Sequence, residues 1–452
     1  MYDITIIGAG VSGIFTAYTL VSKNEKLDIK LIDIGNPIEK RICKIKSEGS
    51  YKCKNCDVCN KFLGFGGLGK SEGKFNYTSD FGGDLQDLIG ENSFNYCMSE
   101  VDNILKKFGG DKVNLYSTYN ESFQNKLEKQ GFKVLTSKVR HLGTKLSNEI
   151  IKGIEEYLNE RVSISLNTNV KDISKEGENF VLSTNKEIFK SRKVVLATGY
   201  TGLQWLQRQC KKFNIKFGKT RVDLGFRIEF LENDLKEITK ETLETKLSLK
   251  VDNTIATTYC MNPKGRVIKK YQRGFVFADG QNYLEGDGPT LNTNFTLFIP
   301  KYFPSGKAGD RYVKNIMTKI NSLDKEIVMQ RLGDLINNRS TTKEKILNNS
   351  VTPTLNCNPG NLNEIIPKEY INITIEFFKR LEKIIKKPIN KDAILYGLDA
   401  KFYNPYIHID KTFQNKIEGL FFIGDCSGVT YSLSQAAASG VYLGNIILNN
   451  CI

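Results

Sequence analysis

Tyr2-Asp3-Ile4-Thr5-Ile6-Ile7 runs straight into Gly8-Ala9-Gly10-Val11-Ser12-Gly13, and the reading of this stretch decides the fold. The β-branched run has the composition of a buried parallel strand. The glycine segment spells GxGxxG in the context where that pattern carries meaning, directly after a strand and at the opening of a helix. Residues Ile14 to Val21 continue with helical apolar spacing and include Ala17, small enough for close helix packing. A second strand, Ile29-Lys30-Leu31-Ile32, ends in Asp33, 20 residues beyond Gly13. Each part has a mechanical task. Gly8 makes the tight turn, Gly10 lets the backbone approach a pyrophosphate, and Gly13 lets helix pack on strand. Val11 and Ser12 open the helix, whose amino terminus attracts the phosphate. Asp33 can accept hydrogen bonds from a ribose diol and would repel a 2′-phosphate. The set predicts an α/β fold with a Rossmann-like dinucleotide-binding unit and leaves open whether the ligand is NAD or FAD.

Two distant segments bear on that choice. Lys193-Val194-Val195-Leu196-Ala197-Thr198-Gly199-Tyr200 reads as a buried strand ending in a small-residue turn, after a hairpin-like region from Val162 to Phe189. Gly419-Leu420-Phe421-Phe422-Ile423-Gly424-Asp425 reads as another strand, followed by Cys426-Ser427-Gly428 and a helix containing Ala436-Ala437-Ala438-Ser439-Gly440. With the glycine turn, these segments resemble the glutathione-reductase-type FAD superfamily. The resemblance implies FAD as the tightly held ligand, with Asp425 on the ribityl chain and the helix amino terminus after Gly428 facing the flavin pyrimidine edge. It adds Val170, Ala197, Thr198, Gly199 and Gly424 to the cofactor-binding set. The physics agrees, because reduced flavin gathers negative charge near N1, and a helix amino terminus stabilises such charge by a few tenths to ~2 kcal/mol.

The middle of the chain narrows the resemblance. In order it carries Cys53-Lys54-Asn55-Cys56-Asp57-Val58-Cys59, then Gly64-Phe65-Gly66-Gly67-Leu68-Gly69-Lys70-Ser71-Glu72-Gly73-Lys74, and Arg140-His141-Leu142-Gly143-Thr144. Farther on stand Val222-Asp223-Leu224-Gly225-Phe226-Arg227, Tyr259-Cys260-Met261-Asn262-Pro263-Lys264-Gly265, Ala278-Asp279-Gly280 and Leu398-Asp399-Ala400-Lys401-Phe402-Tyr403. As an ordered set spanning nearly the whole chain, these motifs are similar to the FAD-dependent (NAD(FAD)-utilising) dehydrogenases of bacteria and archaea. The chain departs from that pattern at Glu72, Cys426 and Asn262, where the family has Asp, Gly and Cys. Gly64 to Gly69 again spells GxGxxG, but with no strand before it this is a loop rather than a second Rossmann unit. By resemblance the loop covers the flavin, with Gly66 and Gly67 near the isoalloxazine or pyrophosphate, and backbone amides in such a loop can bind an anion. Lys74 either adds charge there or is solvated.

Cys43, Cys53, Cys56 and Cys59 lie within 17 residues. Three readings stand side by side: a structural zinc held by C-x2-C spacings, iron–sulfur ligation that relays electrons to the flavin, or reduced and reversibly paired thiols. His141 reads as a helix start, with Leu146, Ile150, Ile154 and Leu158 on one face, and as either structural or functional. Arg227 could anchor an anionic substrate or form a strand-edge salt bridge. Cys260 could approach the flavin, or lie buried in an apolar strand.

Sixty-five Lys plus Arg against 50 Asp plus Glu leave a net charge of +15, which makes polyanions attractive partners. The basic run Lys379, Arg380, Lys383, Lys386 and Lys387 lies on an amphipathic helix whose other face is Ile373, Phe377, Leu381 and Ile384, a solvated face or a nucleic-acid groove. With 2 His, catalysis by His triads or multi-His metal sites is nearly excluded. The absence of a leader or a membrane-span-length apolar run reads as cytoplasmic. We expect a discontinuous FAD-binding domain, residues 1–205 and 390–452, with an inserted antiparallel-sheet and helix substrate domain at 206–389. Strands are predicted at 222–230, 254–260, 266–277 and 293–299, and helices at 309–321 and 369–387. The substrate site is expected where the domains meet. The function implied is hydride transfer between flavin N5 and an organic small molecule, with NAD(P)H as a transient donor. A flavoenzyme modifying tRNA or DNA, and a flavin and thiol redox sensor, are the alternatives.

Overall fold

The strand β1 (Tyr2–Ile7) is central in a parallel array, as its apolar composition demands. In the computed structural model, which describes residues 1–43, 56–242, 245–285, 288–322 and 327–449, β1 pairs in parallel with β2 (Ile29–Ile32) on one side and with Ile188–Leu196 on the other. β2 continues in parallel to Ser163–Ser165, and Leu420–Phe422 adds in parallel to the far edge of Ile188–Leu196. The strand Ile188–Leu196 serves two pairings: its second half carries the parallel array, and its first half pairs antiparallel with Asn179–Thr184, itself in a hairpin with Val170–Glu176.

Helix α1 (Val11–Lys23) is buried from Val11 to Val21. It lies against the carboxyl-terminal helix Leu433–Asn449 at backbone contact. A Cβ on Gly440 would come within 2.3 Å of Ser12 O, and one on Gly444 within 2.8 Å of the Thr19 side chain. Thr16 and Thr19 remain compatible with this burial because their hydroxyls donate to Ser12 O and Phe15 O, each at 2.8 Å.

The chain divides into two compact units, one of residues 1–117, 137–220 and 403–452, the other of 118–136 and 221–402. The second unit is built on an eight-stranded sheet in the order Asn358–Pro359, Val328–Arg331, Ile394–Phe402, Thr220–Leu231, Asn292–Phe303, Thr254–Pro263, Lys246–Val251 and Phe132–Leu135. The first pairing is parallel, and those from Val328–Arg331 through Ile394–Phe402 to Thr220–Leu231, and from Asn292–Phe303 through to Phe132–Leu135, are antiparallel. The short excursion 118–136 belongs here because Phe132–Leu135 supplies an edge strand to Lys246–Val251. Residues 266–277, read from sequence as one strand, form most of a two-strand ribbon, Arg266–Gln272 with Phe275–Gln281. Arg273 and Gly274 both take positive φ, +52° and +81°, which is the two-residue turn that matches strand twist. Helices Gly306–Ile320 and Lys368–Ile385 complete the unit, the latter burying Phe377, Leu381 and Ile384. The fold is thus α/β, a discontinuous Rossmann-like domain interrupted by an antiparallel sheet with helices. Among the described residues no helix is long and apolar enough to cross a membrane.

Candidate functional site

The three glycines of the turn are required for different reasons. At Gly8, φ is +110° and a Cβ would stand 2.3 Å from Ala197 O, so a side chain there is excluded by the neighbouring strand end. At Gly13 a Cβ would stand 1.9 Å from Gly8 O. At Gly10 it would meet nothing within 4 Å. The protein itself explains the outer two glycines, whereas the space beside the middle one is open. Beside it, the amides of Val11, Ser12 and Gly13 occupy the first turn of α1, where a helix offers no intrahelical acceptor. The first such bond in α1 is Ile14 N to Gly10 O at 3.0 Å.

Asp33 stands at the end of β2, where its Oδ2 accepts from Ala9 N at 2.9 Å and its Oδ1 from Gly35 N at 2.7 Å and Gly64 N at 3.0 Å. A carboxylate has about four acceptor sites, so these three amides leave one. Burial pushes its pKa up, against the three amides and the nearby Arg41 guanidinium. The sequence reading gave Asp33 to the ligand; in the structure it is also a latch on the glycine loop. Arg41, which the sequence reading missed, is the second latch. It is buried and donates to Phe65 O at 2.7 Å, Lys61 O at 3.1 Å and Asn60 O at 3.2 Å. Lys70 Nζ donates to Ile38 O at 2.8 Å and Arg41 O at 2.9 Å, and Ser147 Oγ to Gly69 O at 2.5 Å. The loop is thereby laid on the turn: Gly66 N donates to Ala9 O at 2.8 Å, and a Cβ on Gly67 would lie 2.9 Å from Gly10 Cα. The one sequence signal for these latches is positive charge flanking a loop with few side chains of its own.

The distant segments converge on the same place. Ala197 N donates to Ile7 O at 2.8 Å and Ile423 N to Leu196 O at 3.0 Å, which brings Thr198 and Gly199 beside Gly8 and sets Gly424 against α1. A Cβ on Gly424 would lie 2.4 Å from Ser12 Oγ. Ser12 is therefore pressed by Gly424 and Gly440 together. Asn404, also missed from sequence, joins two of these turns by donating to Gly199 O at 3.2 Å and Asp425 O at 2.9 Å. The Asp425 carboxylate accepts from Thr430 Oγ1 at 3.1 Å. At Gly428, with φ +76°, a Cβ would lie 2.6 Å from Tyr406 Cα. Three buried polar atoms here, Thr198 Oγ1, Asn404 Oδ1 and Ser434 Oγ in the first turn of the last helix, have no partner among the described residues. Val170 is buried at the start of its strand, and the residues before it return to β2, with Thr168 N donating to Asp33 O and Asn167 N to Gly35 O. The Cys426 thiol donates to Leu196 O and Ile423 O, each at 3.1 Å, and burial pushes its pKa up to about 11.

Other candidates stand apart. Cys43 and Cys59 are half-buried free thiols and Cys56 is an exposed one, while Cys53 lies outside the described residues. Among the described residues no three His, Cys, Asp or Glu side chains are grouped to hold a metal. His141 ends the strand Lys138–His141 rather than starting a helix, which begins at Gly143. Its Nε2 lies 3.4 Å from Glu72, whose other neighbour is Lys74 at 3.0 Å. The hydrogen bond from His141 and the charge of Lys74, against partial burial, lower the Glu72 pKa to about 2. Arg227 is 0% exposed and donates to Asn294 Oδ1, to Thr296 Oγ1 at 3.1 Å and to Cys260 O at 2.9 Å, so it ties strands together. Cys260 is exposed, with φ +49°, rather than buried in a strand.

No known protein family and no curated protein matches this chain. Solved structures similar to it include glycine oxidase from Geobacillus kaustophilus, 11% identical with a TM-score of 0.40 over 99% of this chain and 95% of that one. Quinol fumarate reductase from E. coli is 13% identical with a TM-score of 0.41 over 99% and 70% of the two chains. A halogenase, PltM, in complex with FAD is 11% identical with a TM-score of 0.40 over 99% and 69%. Likenesses of this size say nothing of chemistry, which rests on the residues themselves.

Proposed function

We propose that the chain is an FAD-dependent oxidoreductase that transfers hydride to or from an organic small molecule. The observation that carries this reading is the convergence on Ser12: the glycine turn, the strand end at Gly424 and the helix at Gly440 meet around the opening of α1. A nicotinamide dinucleotide needs the turn and the acid after β2, whereas the carboxyl-terminal strand and helix belong to the flavoprotein arrangement that the motifs resemble.

The residues present fit such a cofactor. The first-turn amides of α1 would bind the pyrophosphate, with the backbone at Gly10 leaving room for it. The remaining acceptor site of Asp33 would take a ribose hydroxyl. Asp425 would hold the ribityl chain, and the start of the last helix would face the pyrimidine edge, where it favours negative charge. Asn404 Oδ1 and Ser434 Oγ, buried without partners, are available to a ligand hydroxyl or N–H. Bound there, the flavin supplies the hydride-transferring atom, N5, which accounts for the lack of a proton-transfer constellation among the motifs. NAD(P)H, if it is the donor, visits transiently.

Gly10→Ala tests the reading cleanly. A methyl at Gly10 meets no protein atom and φ there is −71°, so the variant should melt at the wild-type temperature. It should lose bound FAD, read from visible absorbance after purification or reconstitution. Undiminished FAD content in Gly10→Ala, or a wild-type protein that stays colourless after reconstitution, overturns the proposal. Anaerobic bleaching with NADH, NADPH and candidate substrates then names the donor.

A further inference from the structure

We propose that the second unit carries a basic groove for the sugar–phosphate backbone of a nucleic-acid duplex, a role independent of the flavin reading. The groove is formed by the helix Glu121–Glu128, the short helix Lys236–Thr239 and the end of Lys368–Ile385. It consists of a hollow of about 610 Å³ and a second of about 400 Å³, which share Lys126, Ile384 and Lys386 and so adjoin as one track. Lys126, Lys129, Lys236, Lys383 and Lys386 line it, all exposed, and among the described residues none of the five is within ion-pair distance of a carboxylate.

The acids present do not cancel this charge. Glu237 is bonded to Lys240 at 2.7 Å, and Asp234 stands 3.7 Å from a sixth lysine, Lys387. Glu121 is the remaining acid in the lining. Lysines near helix carboxyl termini offset the macrodipole, and Lys126, Lys129, Lys383 and Lys386 sit at two such ends. Each end amounts to about half a negative charge, however, so five exposed ammonium groups, two of which also act on the Glu237 carboxylate, exceed what two helix ends call for.

The lining also selects the partner. Lysine binds phosphate as a point charge without demanding a fixed orientation. Protein–protein interfaces are depleted in Lys and anchored by aromatics and Arg, and none of those lines this track, whose apolar members Ile384 and Ile385 are buried. Single-strand sites stack bases on aromatic platforms, which are absent for the same reason. A duplex keeps its bases inside and offers a row of phosphates, which is what a track lined by lysines can read.

The full-length protein is titrated with labelled RNA and DNA duplexes of one sequence, and with polyglutamate, across rising salt. With five phosphate contacts, affinity for duplex should fall on the order of 500-fold between about 50 and 200 mM salt. The triple variant Lys126→Gln, Lys383→Gln, Lys386→Gln should weaken binding and reduce that fall to about 10-fold. Lys171→Gln, Lys211→Gln, Lys216→Gln, three exposed positions of the first unit, should leave it unchanged. A preference for RNA or for DNA supports the groove and names its source. Absence of duplex binding, an equal loss in both triple variants, an unaffected groove variant, or binding of polyglutamate alone each overturns it.

Discussion

Around the glycine loop of the first unit and in the sheet of the second, buried charge is bonded to different kinds of partner. In the first, Asp33, Arg41 and Glu155 direct their hydrogen bonds to main chain: three amides, three carbonyls, and the Ile38 N–H at 3.2 Å. In the second, Arg227, Glu229 and Asp399 reach chiefly to side chains on other strands or loops. Glu229 accepts from Tyr396 Oη at 2.7 Å and Thr354 Oγ1 at 2.5 Å, and Asp399 from Thr296 Oγ1 at 2.8 Å and from Lys270. The difference follows from what each region leaves available. A glycine loop has no side chains to grip and an incomplete backbone ladder, so a charged group fixes it by its peptide groups. Sheet strands have already paired their peptide groups, so side chains remain as partners.

That contrast can be broken by mutation. The largest effect should come from Asp399→Ala, which takes from Lys270 the buried one of its two carboxylates, leaving Asp279 at 3.5 Å, and removes the acceptor of Thr296. It should cost about 3–5 kcal/mol in urea unfolding, and a loss under about 1 kcal/mol would show that the network is idle. Arg41→Leu should cost about 2–3 kcal/mol and, more tellingly, should expose residues 60–70 to protease before the rest of the chain unfolds. Cleavage elsewhere first would deny Arg41 its latching role. The smallest effect concerns Glu72. Its folded pKa of about 2 lies below the ordinary 4.5, so its contribution is fully present above pH 4.5 and fades as pH falls toward 2. Because the pair is half-exposed, Glu72→Gln should flatten the stability profile in that window by less than about 1 kcal/mol, and an unchanged profile would mean that His141 and Lys74 give it nothing.

What could be read from sequence was whatever repeats locally. The run Ile4–Ile7, the glycine turn, and the amphipathic helix bearing Phe377 and Leu381 each declare themselves by period or by a fixed motif, and the structure has them. Pairings between distant segments left no such trace. Nothing around Phe132–Leu135 announces that it edges a sheet whose neighbour begins at Lys246. Arg227 could be read as a ligand anchor or a strand-edge salt bridge, because a lone arginine in a strand is ambiguous until its neighbours are known, and Asn294, Thr296 and Cys260 are 33 or more residues away. Asp33 was legible as an acid after β2 but not as a latch, since Gly64 N, which it holds, is 31 residues on.

The placement of Ser12 between Gly424 and Gly440 sets an order on biosynthesis. The continuous stretch 221–402, most of the second unit, leaves the ribosome while the first unit still lacks its outermost parallel strand and the helix that covers α1. A nascent chain stalled before residue 420 would present the bare side of α1 to chaperones. The glycine turn therefore gains its full surroundings only after Gly440 has been made, and chains cut before residue 420 should be scavenged by proteases rather than accumulate.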